Sequence, residues 1–181
     1  MDRKLLITLH LYLSAFFAPA VILVAVSGGL YLLGVKGNVE MESVYTGPAV
    51  AFEIDADSST LKGDVTALLG DAGVTDFDFD YVKVKGDLLY TRPTSEEHYQ
   101  IKLSEDAVAV IHARPSLQNR MIELHKGHGP TAFKTFQKVF ALGLLLVILS
   151  GLWLGISAAR LRPRTLLSSG AGAIVFVLLL L

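Results

Sequence analysis

The sequence predicts a membrane α-helical protein with one α+β domain inserted between its first two membrane spans. Two apolar runs, at residues 5–33 and 139–159, lie on either side of a longer and more polar segment. Each run supplies the roughly 20 apolar residues that a helix needs to cross a hydrocarbon core of about 30 Å. We therefore predict spans at 5–33, 134–159 and 166–181 and a soluble domain at 36–126.

The first and third runs each allow a second interpretation. The first follows basic residues, as a secretory signal does, but a signal core extends over only about 7–15 residues. Because this run continues from Leu5 to Leu33, we predict an uncleaved anchor. The third run, 166–181, would form a helix of only about 24 Å. It either crosses a thinned bilayer or stops in the headgroup layer.

Basic residues next to the spans predict the orientation of the chain. They precede the first span and follow the second, and such residues are enriched on the cytoplasmic side of membranes. This bias places both flanks in the cytoplasm and the domain at 36–126 outside. The predicted topology anchors are Arg3, Lys4, Arg160, Arg162 and Arg164.

Charge and cysteine content exclude several functions. Residues 36–126 carry 16 Asp and Glu against 9 Lys and Arg, a net charge of −7, whereas the rest of the chain has a net charge of +6. An acidic exterior domain argues against nucleic-acid binding, which rewards clustered basic residues. Because the chain has no cysteine, disulfides, thiol catalysis and thiolate metal sites are excluded.

The polar segment predicts one helix followed by a meander of strands. Residues 36–57 read as a linker with extended pieces, among them the alternating 51–54. A cap at Asp57-Ser58-Ser59 precedes apolar residues at helical spacing, and glycines then end the helix. Those apolar residues are Leu61, Val65, Leu68 and Leu69.

From Val74 the apolar period changes to two, which is typical of strands. We predict a first strand through Phe77, Phe79, Tyr81 and Val84, then strands at 88–91, 98–103 and 107–112, and a returning helix after Pro115. The edge strand of such an open sheet is a plausible surface for docking a peptide by strand addition.

The two main spans share a pattern. Leu9-His10 opens the first span and Ser27-Gly28-Gly29-Leu30-Tyr31 closes it; Leu124-His125 precedes the second, which closes on Ser150-Gly151-Leu152-Trp153. This arrangement resembles the PepSY-associated transmembrane proteins. The resemblance implies a bacterial inner-membrane protein, an exterior αβββ PepSY domain, and the association of such domains with peptidase regulation. Since the spans cross in opposite directions, their likeness is an inverted repeat.

The resemblance also nominates a cofactor. Larger members of the family are similar to di-haem b-type reductases, some of which act on ferric siderophores, and this implies haem b held by His10, His125 or His128. Geometry opposes a bis-histidine site in one chain. His125 and His128, three apart on one helix, would point to the same side, and His10 lies about 30 Å away across the bilayer. A homodimer, five-coordinate haem or a ligand from a partner subunit remain open.

The other polar residues suggest no catalytic site. We interpret Gly28, Gly29, Ser150 and Gly151 as helix-packing residues, because small residues let helices approach closely. A divalent metal at His125 and His128 would need Glu123 or His112 as a third ligand. We expect His98 and His112 to lie on the surface of their strands, and the sequence favours no enzyme activity.

Three hypotheses of function follow. In the first, the chain is a non-catalytic accessory or regulatory module that binds a protein partner or forms a homo-oligomer in membrane lipid. In the second, it is a haem-carrying electron-transfer subunit of a transmembrane iron or siderophore reductase. In the third, it is an accessory of metal or siderophore transport.

Overall fold

The computed structural model describes residues 2–48 and 59–181 and forms two compact units. One unit contains the chain up to Ile22 together with Lys138–Leu181, and the other contains Leu23–Gln137. In the described residues the elements are, in chain order, α1 (Arg3–Leu32), β1 (Val39–Pro48), α2 (Leu61–Asp71), β2 (Tyr81–Lys85), β3 (Leu88–Arg92), β4 (His98–Leu103), β5 (Ala107–Pro115), α3 (Leu117–His125), α4 (Thr131–Ser157) and α5 (Arg162–Leu180).

Three of these helices, α1, α4 and α5, are long and apolar enough to cross a membrane. They coincide with the three predicted spans, and many of their large apolar side chains are exposed, as lipid contact requires. The third helix is longer than the 16 residues predicted. It begins at Arg162 and has 19 residues, because Pro163 is well suited to a first helical turn. Its length of about 28 Å is close to that of a full crossing.

The first unit has a small aromatic core around a glycine. Phe17 is buried, with 4% of its surface exposed, and its ring lies 4.9 Å from that of Phe16 and 5.7 Å from that of Phe140. The Phe17 ring lies directly over Gly143, where a Cβ atom would collide with it. A side chain larger than hydrogen at Gly143 is therefore incompatible with this packing.

The second unit contains a five-stranded antiparallel sheet in the order β1-β5-β4-β3-β2. The predicted domain order αβββ is incomplete, because residues 39–48 form strand β1 rather than a linker. This strand pairs with β5 along its whole length, with an irregularity between Ser43 and Tyr45. The paired residues of β1 and β5 are 59 to 76 positions apart (Pro48 with Ala107, Val39 with Pro115), so this pairing is not visible in local sequence.

The core of this unit lies between α2 and one face of the sheet. The four apolar residues predicted for the helix are all buried, and they pack with Phe79 and the inward residues of β3, β4 and β5. The helix begins at Leu61 after Thr60, which makes no side-chain cap hydrogen bond. The predicted cap residues Asp57 and Ser58 and the alternating segment 51–54 lie outside the described residues.

Residues 74–80 do not form the strand predicted for them, since β2 begins only at Tyr81. The Asp78 carboxylate accepts a hydrogen bond from the backbone N–H of Phe79 at 2.8 Å, and such local bonds compete with strand pairing. Phe79 nevertheless joins the core.

The other strands and the returning helix form where they were predicted, and β3 and β5 are slightly longer than expected. Helix α3 begins after Ser116, whose hydroxyl accepts from the N–H of Asn119, and ends at His125. Gly127 follows with a positive φ of 78°. His125 and His128 are therefore not on one helix, contrary to the prediction.

Candidate functional site

The histidine of each Leu-His motif contacts the serine of the other span's Ser-Gly motif. In the first unit, His10 Nδ1 lies 2.9 Å from Ser150 Oγ. In the second unit, His125 Nδ1 lies 3.0 Å from Ser27 Oγ, and Ser27 is fully buried. The repeat seen in the sequence is therefore a repeated hydrogen bond.

Backbone contacts of the two serines indicate the direction of these bonds. Ser150 Oγ donates to the carbonyl of Val147 at 3.0 Å, and Ser27 Oγ donates to that of Val24 at 3.3 Å. Because a hydroxyl has one proton to donate, a serine that donates to its backbone carbonyl accepts from the histidine Nδ1–H. A histidine that donates from Nδ1 to the serine is not a base that activates it; in the neutral form of such a ring, Nε2 carries the lone pair.

Glycines make room for the two imidazole rings. A Cβ atom at Gly151 would lie 3.1 Å from His10 Cε1, and one at Gly28 would lie 3.3 Å from His125 Cε1. Both distances are tighter than normal contact. A Cβ atom at Gly29 would have no atom within 4 Å.

His128 belongs to a separate polar network centred on Glu123. The Glu123 carboxylate accepts from Thr94 Oγ1, Lys126 Nζ and His128 Nδ1, each at 2.7 Å, and Thr94 in turn accepts from Arg92 at 2.6 Å. Burial raises the pKa of Glu123, but these hydrogen bonds outweigh it and lower the pKa to about 2. Glu123 is thus ionised at neutral pH.

Within the described residues, the histidines do not come together in one haem or metal site. Haem iron accepts a neutral imidazole nitrogen, and in a neutral ring that donates from Nδ1 this nitrogen is Nε2. The described residues bring no second histidine to either ring. They also contain no group of three His, Asp or Glu that could hold a metal ion, because Glu123 contacts His128 and not His125.

The second unit also contains a cleft of about 420 Å³ on the sheet face opposite α2. Strands β2, β3 and β4 form its floor, and α3 and the turn at His128 border it. Side-chain alternation explains this placement, since the neighbours of the buried core residues point to the other face. The lining residues are Val39, Lys83, Lys85, Tyr90, Arg92, Thr94, His98, Gln100, Asn119, Glu123 and His128.

His98 and His112 do not lie on the surface, so that expectation is wrong. His98 is 4% exposed, and burial lowers its pKa, so it stays neutral at pH 7. Its Nδ1 lies 2.9 Å from the carbonyl of Glu96, and it lines the cleft. His112 stacks on Tyr99 with ring centroids 4.8 Å apart.

Three of the predicted topology anchors lie together in the first unit. Arg3, Arg160 and Arg164 line a cavity of about 510 Å³. Arg162 instead donates to the carbonyl of Ile156 at 2.8 Å, near the turn between α4 and α5.

Sequence reasoning missed the cleft entirely. Its basic residues Lys83, Lys85 and Arg92 belong to a domain whose net charge of −7 predicts an acidic surface. The alternation of Lys83 and Lys85 with Val82 and Val84 was the available signal, because it places both ammonium groups on the face away from the core.

Comparison with known proteins supports the sequence resemblance. No curated protein and no solved structure matches the chain. The family described as PepSY_TM-like matches residues 72–181, which include β2–β5, α3 and two of the three membrane-length helices. This match covers more than half of the chain, and the protein therefore belongs to the PepSY-associated transmembrane family.

Proposed function

We propose that this protein is a non-catalytic accessory module of a bacterial inner membrane that binds a partner molecule in the cleft of its PepSY domain. The N-terminus and the loop at Arg160 lie in the cytoplasm, and the domain between α1 and α4 lies outside. The basic residues that flank the apolar helices support this orientation.

The cleft is the observation that carries the proposal. Its volume of about 420 Å³ is within the range of roughly 300–1,000 Å³ found for ligand sites. Tyr90 and Gln100 converge on it from neighbouring strands, where they face each other in the β3–β4 register. A rigid sheet floor of this kind suits binding, because it needs little rearrangement.

The contacts of the serines support a non-catalytic role. Ser27 and Ser150 donate their protons to backbone carbonyls and accept from histidine, the opposite of an activated nucleophile. These groups hold helices together in our proposal.

A cysteine-based cross-linking experiment tests both the orientation and the cleft. The chain has no cysteine of its own, so Tyr90→Cys, Asp71→Cys and Ala159→Cys each present a single thiol. In intact cells, a membrane-impermeant maleimide carrying a benzophenone should label Tyr90→Cys and Asp71→Cys but not Ala159→Cys. After irradiation, Tyr90→Cys should yield one adduct of defined mass, measured on the intact protein.

Asp71→Cys is the matched control, because Asp71 is exposed at the end of α2 on the other face of the sheet. Equal adducts at both positions, or none at Tyr90→Cys, would contradict binding in the cleft. Labelling of Ala159→Cys in intact cells would overturn the orientation.

The second candidate is a haem-carrying electron-transfer subunit. One observation favours it: Nδ1 of His10 and Nδ1 of His125 each contact a serine, which leaves Nε2 of each ring outside these bonds. A hydrogen bond at one ring nitrogen orients the other toward a metal. His10 and His125 would each hold one haem b, which supplies one-electron transfer, and a second copy or a partner would give the other ligand.

This second candidate predicts a Soret band in the protein purified from haem-supplemented cells. His10→Ala and His125→Ala should each remove part of the absorbance, whereas His112→Gln, a change in the sheet, should leave it unchanged. Colourless wild-type protein with intact helices would exclude the candidate.

A further inference from the structure

The cleft is positively charged although the domain around it is acidic. Its lining carries Lys83, Lys85 and Arg92 against one carboxylate, that of Glu123. Residues 36–126 as a whole have a net charge of −7. Concave sites lined by one sign of charge concentrate ions of the other sign, so this cleft attracts anions while the rest of the domain repels them.

The cationic groups of the cleft are available to a ligand. Within the described residues, Lys83 and Lys85 form no hydrogen bond or ion pair, and both are exposed. Arg92 donates through Nη1 to Thr94, but its Nε is buried and has no partner in the described part of the chain. Lys83 and Lys85 are therefore the cations of the lining that a ligand can contact without displacing a protein partner.

The single carboxylate of the lining does not cancel these charges. Glu123 accepts from Lys126, Thr94 and His128, and the cation at Lys126 lies outside the lining. The charge of Glu123 is therefore neutralised by Lys126. Glu123 also accepts from Thr94, and this positions the Thr94 hydroxyl to accept from the Arg92 guanidinium. The network orients Arg92 rather than competing with a ligand for it.

We infer that the cleft binds an anion that carries a phosphate monoester. Lys83 and Lys85 are two apart on β2 and so lie about 7 Å apart on the same face. Arg92 pairs with Tyr81 on the adjacent strand, beside Lys83. Two ammonium groups and a planar guanidinium match the charge and the several oxygens of a phosphate. Tyr90 and Gln100 add neutral polar groups to the same wall.

The position of the cleft in the chain allows two sources for this phosphate. Val39 follows the end of α1 by seven residues, and His128 precedes the start of α4 by three. The cleft is thus near the ends of two membrane-length helices. A soluble phosphate monoester and the headgroup of phosphatidic acid present the same chemistry there.

Calorimetric titration of the full chain in neutral detergent tests the inference, which rests on the proposed function of the cleft. The probes are glycerol 3-phosphate and dihexanoyl phosphatidic acid, which share a headgroup and differ in their acyl chains. We expect at least one probe to bind, and the double variant Lys83→Gln/Lys85→Gln to weaken that binding by at least about tenfold. Binding should also weaken as salt is raised.

The matched control is Lys102→Gln. Lys102 is on β4 two residues after Gln100, so it is on the same sheet face, but it does not line the cleft. Its loss should change affinity by less than about threefold. Binding of glycerol 3-phosphate identifies a soluble ligand, and binding of the lipid alone identifies a headgroup; both support the inference.

Two results would overturn the inference. One is that neither probe binds; the other is that Lys102→Gln weakens binding as much as the double variant does. The titration can fail without contradicting the proposed function, which the cross-linking of Tyr90→Cys tests independently. If Tyr90→Cys gives its specific adduct while both probes fail, the cleft binds a ligand of another class.

Discussion

Glu123→Gln is expected to lower the free energy of unfolding of the domain by about 3 kcal/mol at pH 7. The side chain of Glu123 is only 14% exposed, and its carboxylate accepts three hydrogen bonds, two of them from Lys126 and His128. Thr94 and His128 contact one carboxylate oxygen and Lys126 contacts the other. An amide has one acceptor oxygen, so its NH2 group must replace one of these two acceptors and face a donor. Thermal melting of the full chain, followed by far-ultraviolet circular dichroism, measures the loss.

The pH dependence gives this prediction a second readout. The pKa of Glu123 falls from its ordinary 4.5 to about 2 in the folded protein. Its stabilising contribution is therefore complete above about pH 4.5 and is lost as the pH falls toward 2. The Gln variant should lack this part of the acid destabilisation, while Glu105→Gln, a change in the exposed β4–β5 turn, should keep it. Identical acid profiles for all three proteins would contradict the role given to Glu123.

Gly143→Ala is expected to destabilise the first unit by about 1–3 kcal/mol. The added Cβ would overlap the ring of Phe17, which is 4% exposed and is confined by Phe16 and Phe140. The ring cannot move aside without disturbing both neighbours. Thermal unfolding can be followed by the fluorescence of Trp153, the single tryptophan of the chain, which lies on α4.

Gly172→Ala is the control, and it should act in the opposite direction. A Cβ at Gly172 would have no atom within 4 Å, so the change costs no packing. Alanine also favours a helix over glycine by up to about 1 kcal/mol. If Gly143→Ala proved as stable as Gly172→Ala, the contact between Phe17 and Gly143 would not hold the helices together.

Local periodicity was enough to predict most of the fold. The three membrane helices are signalled by apolar length, and the buried residues Leu61, Val65, Leu68 and Leu69 by helical spacing. Strand β1 was missed because its stabilising partner, β5, is distant in sequence. Residues 74–80 have strand-like alternation, yet the Asp78 side chain satisfies the backbone donor of Phe79 locally. This segment meets β3 only at its end, where the N–H of Asp80 donates to the carbonyl of Arg92.

The candidate site was less accessible to sequence reasoning. The Leu-His and Ser-Gly motifs were recognised, but a motif does not say that His10 contacts Ser150 or that His125 contacts Ser27. The cleft depends on which face of each strand turns away from α2 and on the register that places Tyr90 beside Gln100. The net charge of the domain gave no sign of the cleft, because the total of −7 does not show that three basic residues lie on one face of the sheet.

The exchanged histidine–serine pairs also have a consequence for the synthesis of the protein. His10 and Ser27 are both on α1, but their partners are 140 and 98 residues further along the chain. When α1 enters the membrane, the ribosome has made neither partner, and polar side chains in hydrocarbon are costly until they are paired. Until α4 and α3 arrive, the His10 ring on α1 lacks its serine partner, and Ser27 makes its backbone bond to Val24 without its histidine.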